Sequence, residues 1–441
     1  GIVFGLAPAW KTARANIGSV LKESGRTVAG SRSRTQSVFV IGEMALALVL
    51  LIAAGLMIRT LVRLWRLDPG FNPQNVMTFE MSGPASYKEQ SPEAIRTAYR
   101  QIHDQLSSTP GVEAVSFNGG AHPMESDDEE YIWFVGRPRP THQADLPMTL
   151  EYVVEPDYLK VMQIQLKRGR FFIAADNEKA PAVAVIDESL AEKYFPGQDP
   201  IGQYLDLNTD PAQTEKVRNP QIIGIVAHVN QWGLDSDASF PLHAQMYLPF
   251  MQVPDNDLKR GGVGGDVYLR VQRAGTVPFE TLRHRIMEFS NEIVAFHMEN
   301  MQQSVLDTIA GKSFTMTLLA VFAGLALVLA SIGIYGVLSY LVGQRTQEIG
   351  VRMALGAQRS DVLRIILGDG ARMTLTGVAI GVVAALGLTR LMSSVLFGVN
   401  PTDPITFIGV AAVLCAVALL ACYVPARRAM NVNPVVALRH E

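Results

Sequence analysis

No phosphate-cradling pattern G-x-x-x-x-G-K-[ST] occurs in this sequence, so ATP hydrolysis has no seat in these 441 residues. The patterns H-E-x-x-H, C-x-x-C and G-x-S-x-G are missing too, and with them the commonest zinc, redox and acyl-transfer chemistries. Cysteine is nearly absent. Cys415 and Cys422 lie seven apart in one apolar run, on one face of a helix and too far apart to bridge, and they read as inert thiols. Neither sign of charge dominates: 38 Lys and Arg stand against 41 Asp and Glu, a net charge of −3 that offers no nucleic-acid-binding surface. The eight histidines are scattered, and His103 reads as an ordinary residue on a surface helix. The acidic run Glu125, Asp127, Asp128, Glu129 and Glu130 lacks the EF-hand spacing and reads as a solvated loop. Gly261, Gly262, Gly264 and Gly265 sit in a polar stretch with no helix after them, a hinge rather than a phosphate cradle.

What the chain does have is long apolar runs. Hydrophobic residues make up 48% of it, and the mean hydropathy of +0.17 lies between that of a soluble and an all-membrane protein. Val38–Ile58 is 21 residues with one charge, Glu43. At 1.5 Å per residue it covers about 30 Å, enough for one span. Glu43 lies a turn and a half from the basic end and reads as an interfacial, water-reaching carboxylate rather than an intramembrane functional acid. Ser313–Gly343 runs for 31 residues without a charge. That is about 46 Å, so such a helix must tilt or project as a stalk. Met373–Thr389 with Leu391–Val399 makes a third span, interrupted by Arg390, and Ile405–Ala426 a fourth after a tight turn at Asn400–Pro404.

Between the first two spans hydropathy falls and mixed α/β patterning appears. Val76–Met81 and Val112–Phe117 read as strands flanking a helix from Pro92 to about Ser108, with Ile95, Ala98, Tyr99, Ile102 and Leu106 at helical spacing. This reads as a β-α-β unit. Strands follow at Leu150–Val154, Ala182–Ile186, Gln221–Val226 and Val267–Val271, with helices at Pro156–Met162 and Glu188–Tyr194. Pro196-Gly197 and Pro200 make turns, and Phe195 and Ile201 are expected in the core. The fold class is therefore membrane α-helical, four complete transmembrane helices, with a large α/β domain inserted between helices 1 and 2. It is large enough to bury its own core.

The ends carry a weak repeat. Pro8-Ala9-Trp10-Lys11 aligns with Pro425-Ala426-Arg427-Arg428, and Leu21-Lys22 with Leu438-Arg439 at the same offset. Gly1–Ala7 then reads as the end of a span of an earlier copy, and the sequence as a fragment lacking its N-terminus. Four spans put both basic ends on one side, cytoplasmic by their charge, and the inserted domain on the other. Arg59, Arg63 and Arg66, just past the first span, run against that rule.

The stretch from Gln344 to Arg364 is charged, short and held between two spans, so it stays at the membrane surface. Glu348 and Arg352 are spaced for a helical pair worth about 0.3–0.5 kcal/mol. Gly356 is a natural stop, and Ser360 or Asp361 a natural N-cap for the next helix. The run Glu348-Ile349-Gly350-Val351-Arg352-Met353-Ala354-Leu355-Gly356-Ala357 closely resembles the signature of the MacB/FtsX-like permeases of ABC transporters. Two stretches of the inserted domain resemble the extracytoplasmic domain of that family. They are Glu155-Pro156-Asp157-Tyr158-Leu159 with Lys167-Arg168-Gly169-Arg170-Phe171, and Val185-Ile186-Asp187-Glu188-Ser189 continuing through Tyr194 to Gly202.

The resemblance implies a division into residues 1–37, the tail of a preceding permease unit with a linker, and 38–66, the first span and its stalk. A periplasmic MacB-like core domain then covers 67–300, and an FtsX-like permease domain 301–441, with a coupling helix at about 344–364. It implies a non-enzymatic subunit in the inner (plasma) membrane whose coupling residues are Glu348, Gly350, Arg352, Leu355 and Gly356. ATP and Mg would sit on a separate cytoplasmic ATPase, with no cofactor in this chain. Further expected partners are the lipid bilayer, a second permease unit in a homodimer or pseudo-dimer, and a periplasmic adaptor, with no nucleic acid. Scarce charge within the spans argues against a path for hydrophilic solutes through them. Export by movements of the outer domain is the implied activity. The alternative is an ATPase-driven regulator of a periplasmic partner such as a cell-wall hydrolase.

Overall fold

The computed structural model describes residues 27–124, 128–208, 218–234, 240, 242–344, 351–352, 355, 358–391 and 396–430. The chain divides into two compact units. One is Arg66–Gly311, and the other joins the segment ending at Trp65 to the segment beginning at Lys312.

The Arg66–Gly311 unit is built on a ten-stranded sheet. Its first module contains β1 (Val76–Ser82), α2 (Pro92–Ser107) and β2 (Val112–Gly120), then β11 (Gly264–Val271), α6 (Phe279–Phe289) and β12 (Val294–Asn300). The order β12-β1-β11-β2 is antiparallel throughout. It is that of a ferredoxin-like, split β-α-β arrangement. The β-α-β unit expected over Val76–Phe117 is thereby corrected. β1 and β2 are parallel but not neighbours, because β11 lies between them.

α2 begins where the sequence offers a cap and a proline: the Ser91 hydroxyl accepts from Ala94 N at 3.2 Å, and Pro92 follows at the first helical position. Its buried stripe Ile95, Ala98, Tyr99, Ile102 and Leu106 packs on Phe79, Met81, Val115 and Phe117 of the sheet and Leu282 and Ile286 of α6. Gly264 and Gly265, expected in a hinge loop, instead open β11, opposite Ser82 and Met81 of β1. The Tyr99 hydroxyl donates to Gly264 O at 2.6 Å and accepts from Gly264 N at 2.8 Å.

The second module is spliced into the first between β2 and β11. It contains β5 (Met148–Val154), α3 (Tyr158–Met162), β6 (Leu166–Gly169), β7 (Val183–Asp187), α4 (Glu188–Tyr194), β9 (Gln221–Val226) and β10 (Gln245–Pro249), in the order β5-β10-β7-β9-β6. β3 (Glu129–Tyr131) pairs on β5 as well, while β4 (Trp133–Phe134) and β8 (Leu205–Asp206) form a separate two-stranded ribbon. β7 and β9 are adjacent and parallel with α4 between them in sequence, a true β-α-β unit. Asp187 caps α4 by accepting from Leu190 N at 2.9 Å. Phe195 is buried in the core against Ile186, Leu190 and Phe134, and Ile201 packs on it, as expected from the sequence. The two modules are stitched by three residue pairs, Asn118 with Val154, Gly119 with Val153 and Gly120 with Tyr152.

Four helices of the other unit are long and apolar enough to cross a membrane: α1 (Thr27–Leu64), α8 (Ala310–Gln344), α9 (Arg359–Leu391) and α10 (Pro404–Met430). The remaining short helices α5 (Asp255–Gly261) and α7 (Met301–Asp307) belong to the α/β unit. α9 begins fourteen residues ahead of the expected span and runs unbroken through Arg390. The turn ahead of α10 is built by Asn400, whose side chain accepts from Thr402 N at 3.0 Å. A shared core of Leu48, Ile52, Leu56, Ala330, Ile334, Leu338, Ala385, Leu414 and Ala418 holds the four helices together.

Candidate functional site

Glu348, Gly350 and Gly356 lie outside the described residues, as does the Glu348–Arg352 pair. Val351 and Arg352 are helical, Leu355 N donates to Val351 O at 3.0 Å, and Gln358 leads into α9. Leu355 is 83% exposed and Val351 41%, so two apolar side chains one turn apart are turned outward beside exposed Arg352.

The start of α9 is fastened from both sides. Gln358 takes the cap position, and the Asp361 carboxylate reaches back to accept from its N–H at 3.0 Å, the reciprocal half of a capping box. The expected cap at Ser360 or Asp361 is thus shifted, with Asp361 acting from the third helical position. On the inner face Val362 and Ile366 are buried in the helical core, while Asp361 and Arg364 stay exposed. Leu355, the nearer outward apolar residue of the linker, thus precedes Val362, the first of these core residues on α9, by seven positions.

α9 meets α1 through Gly377 and Gly381, a small-xxx-small spacing that brings helix backbones close. A methyl placed on Gly377 would lie 2.6 Å from Met44 Cβ, and one on Gly381 would lie 2.9 Å from Ala45 O. At its far end α1 is clamped to the turn between α9 and α10: Arg59 pairs with Asp403, and Arg63 donates to Gly398 O. The Asp403 carboxylate also accepts from the Thr406 hydroxyl at 2.6 Å and from Thr406 N at 2.8 Å. The Thr406 hydroxyl first, and Arg59 after it, hold this carboxyl below its ordinary range. Arg59 and Arg63, anomalous by the charge rule, are thus engaged in holding one helix end to a turn.

Glu43, expected to reach water, presents Oε2 to the face of α8, where Gly333 has no side chain to exclude it. Among the described residues no cluster of three or more His, Cys, Asp or Glu is arranged to hold a metal. Cys422 is buried and Cys415 half-buried, with neither bridged. Sequence reasoning missed the Gly377–Gly381 contact and Asp403; the glycine spacing was there to be seen, but the arginine–turn clamp had no local signal.

In the α/β unit, His103 proves more than a surface residue. Its ring pairs at 2.9 Å with Glu155, a buried carboxylate that also accepts from Phe117 N at 3.0 Å. Burial alone would lower the His103 pKa. The Glu155 carboxylate, helped by Asp157 and Asp104, outweighs burial and raises it. The same unit holds a cleft of about 1010 Å³ between the two modules, walled by α2, α5 and the strand ends of β2, β5, β10 and β11.

Residues 37–280 match the family described as MacB-like periplasmic core domain, and residues 320–434 match FtsX-like permease C-terminal. The second match encloses the linker between α8 and α9. A macrolide export ATP-binding/permease protein MacB from Azoarcus sp. (strain BH72) is 33% identical over 284 residues, covering 62% of this chain and 40% of that protein. The MacB protein of Acinetobacter baylyi is 30% identical over 349 residues, covering 77% of this chain and 47% of that protein. This chain thus spans less than half the length of these relatives. The solved periplasmic region of MacB from Actinobacillus actinomycetemcomitans is 16% identical and covers 56% of this chain and 98% of its own, with a TM-score of 0.36.

Proposed function

Because this chain belongs to the MacB-like family of ABC transporter permeases, we propose that it couples ATP hydrolysis on a separate cytoplasmic ATPase to movements of its α/β domain, and that these movements serve export. ATP and Mg belong to that partner, and the chain lies in the inner membrane with the α/β domain outside the cytoplasm. The observation that carries the reading is the linker between α8 and α9. It falls inside the FtsX-like match and turns Leu355 almost fully outward, between two helices each long enough to span a bilayer. Glu348, Gly350, Arg352, Leu355 and Gly356 are the proposed contacts. Glu348 and Arg352 would make polar contacts to the ATPase, Leu355 an apolar anchor, and the glycines would allow close backbone approach.

The test is co-purification. The solubilised native protein is expected to bring down a Walker-motif ATPase, with recovery falling at least several-fold for Leu355→Asp and Glu348→Lys. Equal recovery with all three proteins would remove the linker from the coupling site. An ATPase that co-purifies while its turnover drives no export, but alters a wall hydrolase, would replace export by regulation.

A further inference from the structure

The cleft between the two modules of the α/β unit is walled by apolar side chains and by carboxylates. Glu151 and Val153 project from β5 into it, on the face opposite Tyr152. Asp128 and Glu130 stand at one side, Asp257 of α5 at another, and Tyr99, Phe250 and Leu248 supply apolar wall. Gly119, Gly120, Gly262, Gly264 and Gly265 line it without side chains, which leaves the space open and backbone groups within reach. Two arginines line the cleft, and both are spent on protein contacts. Arg96 pairs with Asp255 at 2.8 Å and donates to Met251 O and Val253 O, while Arg218 donates to Ala180 O and Glu178 O. Among the described residues Glu151 has no side-chain hydrogen-bond or ion-pair partner. Its enclosure first, and the charges of Glu130, Asp128 and Asp257 after it, push its pKa up to about 8.

We propose that this cleft binds a small aliphatic polyamine, its ammonium groups on Glu151 and the acidic rim and its methylenes against Tyr99, Val153 and Phe250. An open concavity combining apolar wall, convergent polar groups and a perturbed carboxyl is the physical form of a small-molecule site. A polyamine supplies only donors and positive charge, which is what a wall of carboxylates and carbonyls lacks. The cleft lies wholly within the Arg66–Gly311 unit, so the inference stands whether or not the chain transports anything.

The experiment is calorimetric titration of the full, detergent-solubilised chain with spermidine at 150 mM salt. The native protein is expected to bind one spermidine saturably. Affinity should rise from pH 6.5 to about 8 as Glu151 ionises, a range in which the terminal amines of spermidine stay charged. The other charged groups lining the cleft are Asp128 and Glu130 beside β5, Glu93 and Arg96 on α2, Asp255 and Asp257 on α5, and Glu178 and Arg218 on the walls. Glu151→Gln should weaken binding about tenfold and flatten the pH dependence, the loss expected for one charge-assisted contact. Asp257→Asn, at the exposed rim, should weaken binding less and keep the pH dependence. Glu280→Gln, on α6 away from the cleft, should change nothing. Non-saturable binding, equal affinity across the variants, or full displacement by Mg²⁺ at equal charge would each overturn the site and leave only screening of an acidic surface.

Discussion

Replacing Gly377 by alanine tests the packing of the helical unit. The added methyl would lie 2.6 Å from Met44 Cβ and 3.1 Å from Ile41 O, one of them backbone and the other next to it. Carbon atoms pack at about 3.5–4.0 Å, so α1 and α9 must part by about 1 Å. The strain reaches Gly381, where Ala45 O and Leu48 crowd the next turn. Overpacking of this kind costs about 1–3 kcal/mol. Gly387→Ala, on the same helix with nothing within 4 Å, is the matched control. A thiol assay reports on this unit alone, because both cysteines lie on α10 and Cys422 is buried in its core. With Cys415 replaced by alanine, labelling of Cys422 during a temperature ramp follows opening of the bundle. Gly377→Ala should expose Cys422 at a temperature lower by several degrees, and Gly387→Ala should match the parent. Coincident curves for the two would refute close α1–α9 packing at Gly377.

Two further outcomes concern the α/β unit. Arg170 grips Asp176 with a two-pronged contact at 2.6 and 2.9 Å. Burial would raise the Asp176 pKa, but that grip and the Ile173 N–H lower it on balance. The contribution is present above the ordinary carboxylate range near 4 and lost as pH falls through the folded value. Asp176→Asn should cost about 1–2 kcal/mol at pH 7, discounted for the exposure of Arg170, and progressively less by chemical denaturation as pH falls below about 4. His103 runs the other way. Its raised pKa means that its bond to Glu155 stabilises fully below about pH 6.5 and weakens as pH rises through the folded value, so denaturation midpoints should fall from pH 6 to 8. His103→Gln should flatten that slope, and an unchanged slope would remove His103 from the account.

Element type was legible wherever local pattern decides it. The apolar stripe from Ile95 to Leu106, with a serine cap and a proline, fixes α2 to within a residue, and the uncharged run before Gly343 fixes α8. Neighbour relations were not legible. β11 is inserted between β1 and β2 although well over a hundred residues separate it from either, and no periodicity near Val76 could announce that. β12 was overlooked because it is an edge strand whose exposed positions blur alternation, with His297 at a φ of +53°. Gly264 and Gly265 looked like hinge residues because glycine is rare in strands. The backbone there lies too close to Met81 and Asn118 for easy side chains. For the candidate site, the exposure of Leu355 followed from its place between two spans. The anchoring of the linker by Val362 and Ile366 depends on which face of α9 meets α1, a tertiary fact.

The proposed coupling makes a demand on the helical unit that can be tested apart from its stability. In the proposed coupling, a push on Leu355 would enter α9, pass to α1 where Gly377 and Gly381 abut Met44 and Ala45, and reach the end of α1 at Arg59 and Arg63. There α1 is tied to the α9–α10 turn through Asp403 and Gly398, a polar link added to the apolar core that the helices share. Arg59→Gln with Arg63→Gln would cut the tie while leaving the Leu355 surface and the glycine contact untouched. The expected result is an ATPase that still co-purifies with the doubly substituted chain and still hydrolyses ATP, but whose turnover no longer drives export from reconstituted vesicles. If ATPase recruitment, hydrolysis and export all stay at native levels, the tie transmits nothing and the route from linker to α1 must be abandoned.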